Sequence, residues 1–184
     1  MLEEYTVVDL ETSGLYPKQG DRVISISALK VKGDRVVDYF FSYLNPGIDL
    51  DDVVENITGI TNAMLLKAPA SNQVVHNFMK FIGNDYLITH HAEFEKSFLN
   101  NELELANIAH IPKLICTKTI AKDIYPYVLG ASCQRMCDEL KIDERDIVSD
   151  SHYEDVTMTF NLFKRIKHDL SNLGDLELYD FFKL

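Results

Sequence analysis

Residues 5–15 read YTVVDLETSGL. Tyr5, Thr6, Val7 and Val8 are aromatic or β-branched, and with Leu10 they make a run suited to a strand buried in a sheet. Asp9 and Glu11 interrupt that run. Alternate residues of a strand point to one face, so the two carboxylates lie side by side at the end of a strand otherwise fit for burial. Burying two like charges is costly unless something positive neutralises them. A hard divalent cation such as magnesium or manganese does so through carboxylate oxygens. Thr12, Ser13 and Gly14 follow, with backbone donors and the freedom for a tight turn. For an isolated Asp-x-Glu, an acidic, solvated turn is the simpler explanation, so the rest of the chain has to decide.

At 184 residues the chain has the length of one domain with a substantial core. Hydrophobic residues make up 46% and charged residues 26%, an ordinary globular balance that argues against disorder. The first residues, MLEEYTVV, hold no basic region followed by an apolar one, and no stretch has the length of a membrane span. A cytoplasmic protein with no membrane partner is therefore expected. Cys116, Cys133 and Cys137 form no CxxC pair and do not imply a disulfide framework. Cys133 and Cys137 have helical spacing beside Met136 and Leu140, which points to core packing. A net charge of −11 argues against a protein that wraps long duplexes through phosphate contacts. It is compatible with an enzyme that grips a few nucleotides at a metal site.

Outward from the first strand, residues 22–32 (RVISISALKVK) alternate as a strand with one buried face should. Gly33-Asp34 is a turn signal and residues 36–44 resume as a strand, so the first three strands are expected to be consecutive and antiparallel. Residues 49–66 are expected to form short helical turns. Ser71 is placed to cap a helix with Val74, Val75, Phe78, Met79 and Ile82 as its apolar stripe, stopped at Gly83. Residues 86–89 read as a strand running into His90-His91-Ala92-Glu93-Phe94-Glu95, where Phe94, Phe98 and Leu99 have the spacing of a helix face. Residues 113–115 are a candidate fifth strand. Helices are expected over 117–124, ended by Pro126, and over 132–140.

The last long helix is expected over about 151–167, with Val156, Phe160, Phe163 and Ile166 facing inward. Ser151 and Glu154 have capping-box spacing, which places His152 and Asp155 on one face of its first turn. Taken alone, both are explained as exposed first-turn residues. A hairpin followed by alternating helices and strands gives an α/β fold with a mixed sheet flanked by helices. One domain is expected over 1–170. A C-terminal tail, 171–184, mixes acids with Leu, Tyr and Phe and is suited to docking on the body or on a partner.

Together the acidic stretches resemble the motifs of the DEDD 3′–5′ exonuclease superfamily. The branch they resemble is DEDDh-like, of the type of the DNA polymerase III epsilon proofreading subunit. Asp9 to Leu15 (DLETSGL) looks like the first motif, Asp21-Arg22-Val23-Ile24 like the second strand, and Gly59-Ile60-Thr61 like the connecting loop. Residues 90–99 look like the second acidic motif, with Phe94 at its aromatic position and Glu95 at its acid. Cys116-Thr117, Tyr125-Pro126 and the helix at Ser132 resemble the region leading to the third, and Asp155-Val156-Thr157 resembles the last. The resemblance covers about residues 5–167, and three ordered motifs carry more weight than any one.

The resemblance implies a ribonuclease H-like sheet and a metal-dependent 3′–5′ exonuclease that releases nucleoside 5′-monophosphates. It implies that Asp9, Glu11, Glu95 and Asp155 hold two Mg²⁺ or Mn²⁺ ions, about 3.5–4 Å apart in such sites. One ion activates water, the other stabilises the departing 3′ oxygen, and a histidine takes the water's proton. Asp9 and Asp155 then bind the more buried ion, with Glu11 helping to bind the pair. Thr12, Ser13, Leu15, His90 and Phe94 match positions near the terminal nucleotide, Leu15 as an apolar wedge. Single-stranded nucleic-acid 3′ ends are the implied partner. A polymerase or another replication or repair protein is the expected partner of the tail.

Several positions depart from the family pattern. Glu95 is one methylene longer than the usual Asp, His91 replaces an Asn, and Thr58 replaces the histidine before the Gly-Ile loop. Asp150 stands five residues before Asp155, where the DEDDh branch has its histidine, and Ser151 stands where the DEDDy branch has tyrosine. His152 is a displaced candidate base, with a plain role in the capping turn as the alternative. Three readings follow: an active exonuclease with an altered site, a catalytically impaired nucleic-acid or nucleotide binding module of the same fold, and a polymerase accessory subunit. Asp9, Glu11 and Asp155 favour the first. DNA, RNA and short oligonucleotides stand as alternative substrates.

Overall fold

Residues of one strand divide their side chains between two layers, and that division sets which face of the sheet carries the acids. The computed structural model describes residues 2–110, 112–142 and 150–172. Strand β1 (Glu4–Thr12) is the middle of a five-stranded sheet, ordered β3-β2-β1-β4-β5. Its neighbours β2 (Val23–Lys32) and β3 (Arg35–Tyr43) form an antiparallel hairpin, as expected. Gly33 and Asp34 both take left-handed φ values, 53° and 61°, the condition for a two-residue hairpin turn that follows the strand twist. On the other side β4 (Tyr86–Thr89) and β5 (Leu114–Cys116) run parallel to β1.

Tyr5 and Val7 of β1 bury on one face of the sheet, with Leu29, Ile88 and the helices α5 (Thr117–Ile124), α6 (Cys133–Glu139) and α7 (Glu154–Asn172). Val8 and Leu10 bury on the other, against α3 (Ser71–Ile82) and α4 (Ala92–Leu105). Two short helices, α1 (Asp52–Thr58) and α2 (Asn62–Leu65), cover the end of β2, where Ile60 and Leu65 meet Ile24. This is the mixed α/β sheet of the ribonuclease H-like expectation. Cys137 joins the core at 2% exposure and Cys133 packs against it, also as expected.

By alternation, Asp9 and Glu11 share the face of Tyr5 and Val7, the face covered by α7. The rings of Tyr5 and Phe163 meet edge to face at 5.2 Å and fix the helix on the strand. From Phe163 back to Asp155 is eight residues, about 12 Å along a helix. From Tyr5 on to Asp9 is four residues, about 13 Å along a strand. The two rises match, so α7 running antiparallel to β1 brings its first turn to the acidic end of the strand.

Two local expectations are corrected. Ala70, not Ser71, is the N-cap of α3; Ser71 starts the helix and its hydroxyl donates to the Asn45 carbonyl at 3.0 Å. Ser151 does not open the last helix through a capping box either. Ser151–Tyr153 form a separate 3₁₀ turn, with Asp150 as N-cap accepting from the His152 backbone N–H at 3.0 Å, and α7 begins at Glu154. Asp150 competes for the cap because Asp and Ser are about equally good at it. Of the expected C-terminal tail, residues 173–184 lie outside the described residues.

Candidate active site

Cross-strand register builds the site. Asp9 lies opposite Ser27 and Glu11 opposite Ser25 on β2; Ser27 then pairs with Phe41 and Ser25 with Tyr43 on β3. Two rows thus cross the same face of the sheet, acid, serine, aromatic. Serine is small, so the sheet is hollow between the acids and the rings. The hollow is a cavity of about 320 Å³, closed by Ile57, Thr58 and Ile60 on one side and by His152 and Asp155 on the other.

One carboxylate oxygen each from Asp9, Glu11 and Asp155 lies within 4.8 Å of the others. Burial, then Asp155, then Glu11 pushes the Asp9 carboxyl up to about 7. Burial and Asp155 likewise raise Glu11. Three carboxylate oxygens gathered this closely, with Asp9 and Glu11 already pushed toward protonation, fit a hard divalent cation, which removes the repulsion by taking them as ligands.

Glu95 is outside that group of three. It stands in the first turn of α4 at 4% exposure, and burial, then the charge of Asp9, raises its carboxyl well above the ordinary range. Among the described residues, Thr89 Oγ1 and Glu95 Oε2 both lack a hydrogen-bond partner. Leaving such a group unsatisfied costs about 1–3 kcal/mol, more when it is charged. A cation or its bound water beside Glu95 would supply the missing partner. A bidentate pair, Arg22 Nε–Glu102 Oε1 at 2.7 Å and Nη2–Oε2 at 2.9 Å, ties α4 to the start of β2 and so fixes the helix that carries Glu95.

The loop after β1 is folded by hydrogen bonds. Thr12 Oγ1 donates to the Gly14 carbonyl at 2.7 Å, and Ser13 Oγ accepts from the Arg22 N–H at 2.9 Å. A Cβ on Gly14 would meet the Asp21 carboxylate at 2.4 Å, so a larger residue here would have to displace the acceptor of the Tyr16 N–H. Beyond it Leu15 projects at 65% exposure, open to a wedge role. Phe94 is half-buried on α4, tilted against Phe98 at 4.9 Å. His90 differs from its expectation as a substrate contact. It is 4% exposed, and its ring nitrogens face Thr117 Oγ1 at 3.0 Å and the Ala131 carbonyl at 2.9 Å. Both ring positions are spent on the protein, so His90 is a strut between β4 and the segment before α6.

His152 does line the cavity with the acids. Its ring lies on Phe41 at 4.2 Å between centroids, and its two nitrogens face Asp150 Oδ1 at 2.6 Å and the Tyr43 hydroxyl at 3.1 Å. Phe41, Tyr43, Ser25 and Ser27 also line the cavity, and no motif in the sequence marks them as site residues. The alternation in both strands was their signal, but only the register shows that they share a row with Asp9 and Glu11. A larger cleft of about 590 Å³ lies between Tyr16–Gln19 and α4, and its lining includes none of the expected site residues.

The profile of the exonuclease family (RNase_T) matches residues 6–163. A PolC-type DNA polymerase III from Bacillus cereus is 34% identical over 142 residues, covering 77% of this chain and 10% of the relative. A DNA polymerase III subunit epsilon from Rickettsia typhi is 36% identical over 138 residues, covering 70% of this chain and 60% of the relative. The chain thus spans only part of the length of these curated relatives. Among solved structures, exonuclease X in complex with 5′ overhanging duplex DNA superposes with a TM-score of 0.75 at 20% identity, over 97% of this chain and 99% of that one, which establishes the shared fold. With 6–163 inside the family profile and the acids of β1 and α7 meeting at one cavity, the chain belongs to the exonuclease family RNase_T, within the DEDD 3′–5′ exonuclease superfamily.

Proposed function

We propose that this protein is a metal-dependent 3′–5′ exonuclease that removes nucleoside 5′-monophosphates from nucleic-acid 3′ ends. The observation that carries the reading is the meeting of Asp9, Glu11 and Asp155 oxygens within 4.8 Å at the cavity. Those three would hold the Mg²⁺ or Mn²⁺ ions, with Glu95 reaching them directly or through water. When bound, the ions supply an activated water and stabilise the leaving 3′ oxygen. His152 accepts the proton of the attacking water, Leu15 wedges against the terminal base, and Phe94 with Thr12 and Ser13 borders its path. The polymerase III relatives support DNA as substrate and a replication partner, for which the segment after 170 is the candidate contact. Among the described residues no helix is long and apolar enough to cross a membrane. Three free cysteines agree with a reducing, cytoplasmic setting.

Incubation of a 3′-end-labelled single strand with Mn²⁺ or Mg²⁺ tests the reading: 5′-monophosphate release is the expected result, faster with Mn²⁺. Mg²⁺ demands near-ideal octahedral geometry and tolerates the long Glu95 poorly. Glu95→Asp is accordingly expected to raise the Mg²⁺ rate and narrow the difference between the metals. A larger Mn²⁺ preference in Glu95→Asp would show that Glu95 already has the right length. A second reading, a binding module with impaired catalysis, is favoured by Asp150 standing where the family has histidine. Silence with both metals, together with retained binding of the strand, would decide for it.

A further inference from the structure

The turn before α7 holds the His152 ring at both ends. Asp150 Oδ1 lies 2.6 Å from His152 Nδ1 and 3.0 Å from the His152 backbone nitrogen. An ionised carboxylate only accepts hydrogen bonds, so Nδ1 carries the hydrogen. In the neutral ring Nε2 then holds a lone pair, and the Tyr43 hydroxyl, 3.1 Å away, is the donor to it. Hydrogen bonds from the His152 backbone and ring hold the Asp150 carboxyl below its usual range, which keeps it ionised. His152 and Tyr43 line the acidic cavity, whereas Asp150 is not among its lining residues.

We propose that Asp150 is a positioning residue for His152: its carboxylate fixes the Nδ1–H form and leaves Nε2, beside the cavity-lining Tyr43, as the proton acceptor. For its kinetic consequence the proposal rests on the exonuclease reading; the tautomer does not depend on it. In the reaction water enters in place of the Tyr43 hydroxyl and gives its proton to Nε2. The remaining hydroxide oxygen bonds to phosphorus, and the P–O3′ bond breaks with its electron pair going to O3′. O3′ takes a proton from solvent, and the imidazolium returns its extra proton to solvent. Asp150 stays ionised throughout and stabilises the imidazolium through Nδ1–H. Carboxylate–imidazole pairs do this wherever a histidine base needs a fixed tautomer. The carboxylate at the family's histidine position therefore serves the histidine displaced two residues along.

Asp150→Ser separates this role from capping, because serine is as good an N-cap as aspartate yet is uncharged and too short to reach Nδ1. The first readout is ¹⁵N NMR of the His152 ring in the full chain, at a pH where the ring is neutral. Wild type is expected as the Nδ1–H form, and Asp150→Ser is expected to shift the ring toward Nε2–H, with Asp150→Asn intermediate. Hydrogen on Nε2 in wild type, or a ratio unchanged by Asp150→Ser, overturns the proposal. The second readout is kinetic. Asp150→Ser is expected to lower kcat about 10-fold or more with KM unchanged, between the about 10–100-fold lost with the partner of a metal-bound imidazole and the about 10⁴-fold lost with the carboxylate of a catalytic triad. It should cost nothing more in a His152→Ala background; an equal loss in both backgrounds overturns the proposal. An inactive wild type instead overturns the exonuclease reading, and the ring spectrum still decides the role of Asp150.

Discussion

Asp9→Ala is expected to lower the rate of 3′-end hydrolysis by about 10³-fold or more, with Mg²⁺ and with Mn²⁺. Metal ions supply several kcal/mol of transition-state charge stabilisation in such sites, and each 1.4 kcal/mol or so is a factor of ten. Asp9 is the residue whose loss removes most of it, since it meets both Glu11 and Asp155 and its charge also reaches Glu95. Calorimetric titration with Mn²⁺ checks the cause: wild type should bind and Asp9→Ala should not. Equal Mn²⁺ affinity in the two proteins would remove the acid cluster from the mechanism.

The same residue carries a stability effect of opposite sign. Asp9 is raised from 3.8 in the unfolded chain to about 7 in the fold. The folded state therefore binds this proton more tightly, and its stability falls as pH rises from 3.8 toward 7. One such group contributes at most about 1.4 kcal/mol per pH unit inside that window. Glu11 and Glu95, raised as well, act in the same direction. In a chelator, thermal unfolding of wild type should show this decline, and Asp9→Asn should flatten it and melt higher above pH 7. Added Mn²⁺ should raise the melting temperature of wild type and leave Asp9→Asn nearly unmoved. Lost activity with gained stability cannot come from misfolding. A melting temperature that rises with pH in the chelator would refute the repulsion.

The strand that organises the site was legible because its information is local. Tyr5, Val7, Asp9 and Glu11 alternate within seven residues, and alternation alone assigns them to one face. The hairpin was legible for the same reason, through Gly33-Asp34. What alternation does not contain is the register of β3. Regular pairing continued from Lys32 opposite Arg35 would set Ser27 against Phe40 and put Phe40 on the acidic face. An irregularity between Lys30 and Val31 shifts the pairing by one residue, so Phe41 faces Ser27 instead. Phe40 turns to the opposite layer, against Phe78 and Phe81. Tyr39, Phe41 and Tyr43 are left as the shelf on which Tyr153 and His152 rest. Glu95 was legible as a candidate acid through the resemblance, but its placement was not. Its distance from the other acids depends on how α4 docks, and the ion pair that ties the helix down joins Glu102, two turns along the same helix, to Arg22, far away in sequence.

His152→Ala is expected to cost about 10²–10⁴-fold in kcat, the usual contribution of a positioned general base. The variant should stay folded. The ring is about 40% exposed, and its packing partner Phe41 also contacts Tyr43 and Tyr153, so the shelf survives its removal. The loss should fall on kcat rather than KM, because His152 is needed when the water gives up its proton and not when the strand binds. Adding Asp150→His to His152→Ala puts a histidine back at the family spacing. Recovery is expected to be small, since position 150 is not among the residues lining the cavity and would have to turn inward to reach the water. Full recovery would mean that the turn reorganises when substrate binds, and that His152 is one of two places from which a base can act. An unchanged rate in His152→Ala, in a preparation series whose Asp9→Ala is dead, would exclude His152 as the base. Asp150 or solvent hydroxide would then be left to take the proton, and Asp150→Ala in that background would tell them apart by abolishing the rate only if the carboxylate is the acceptor.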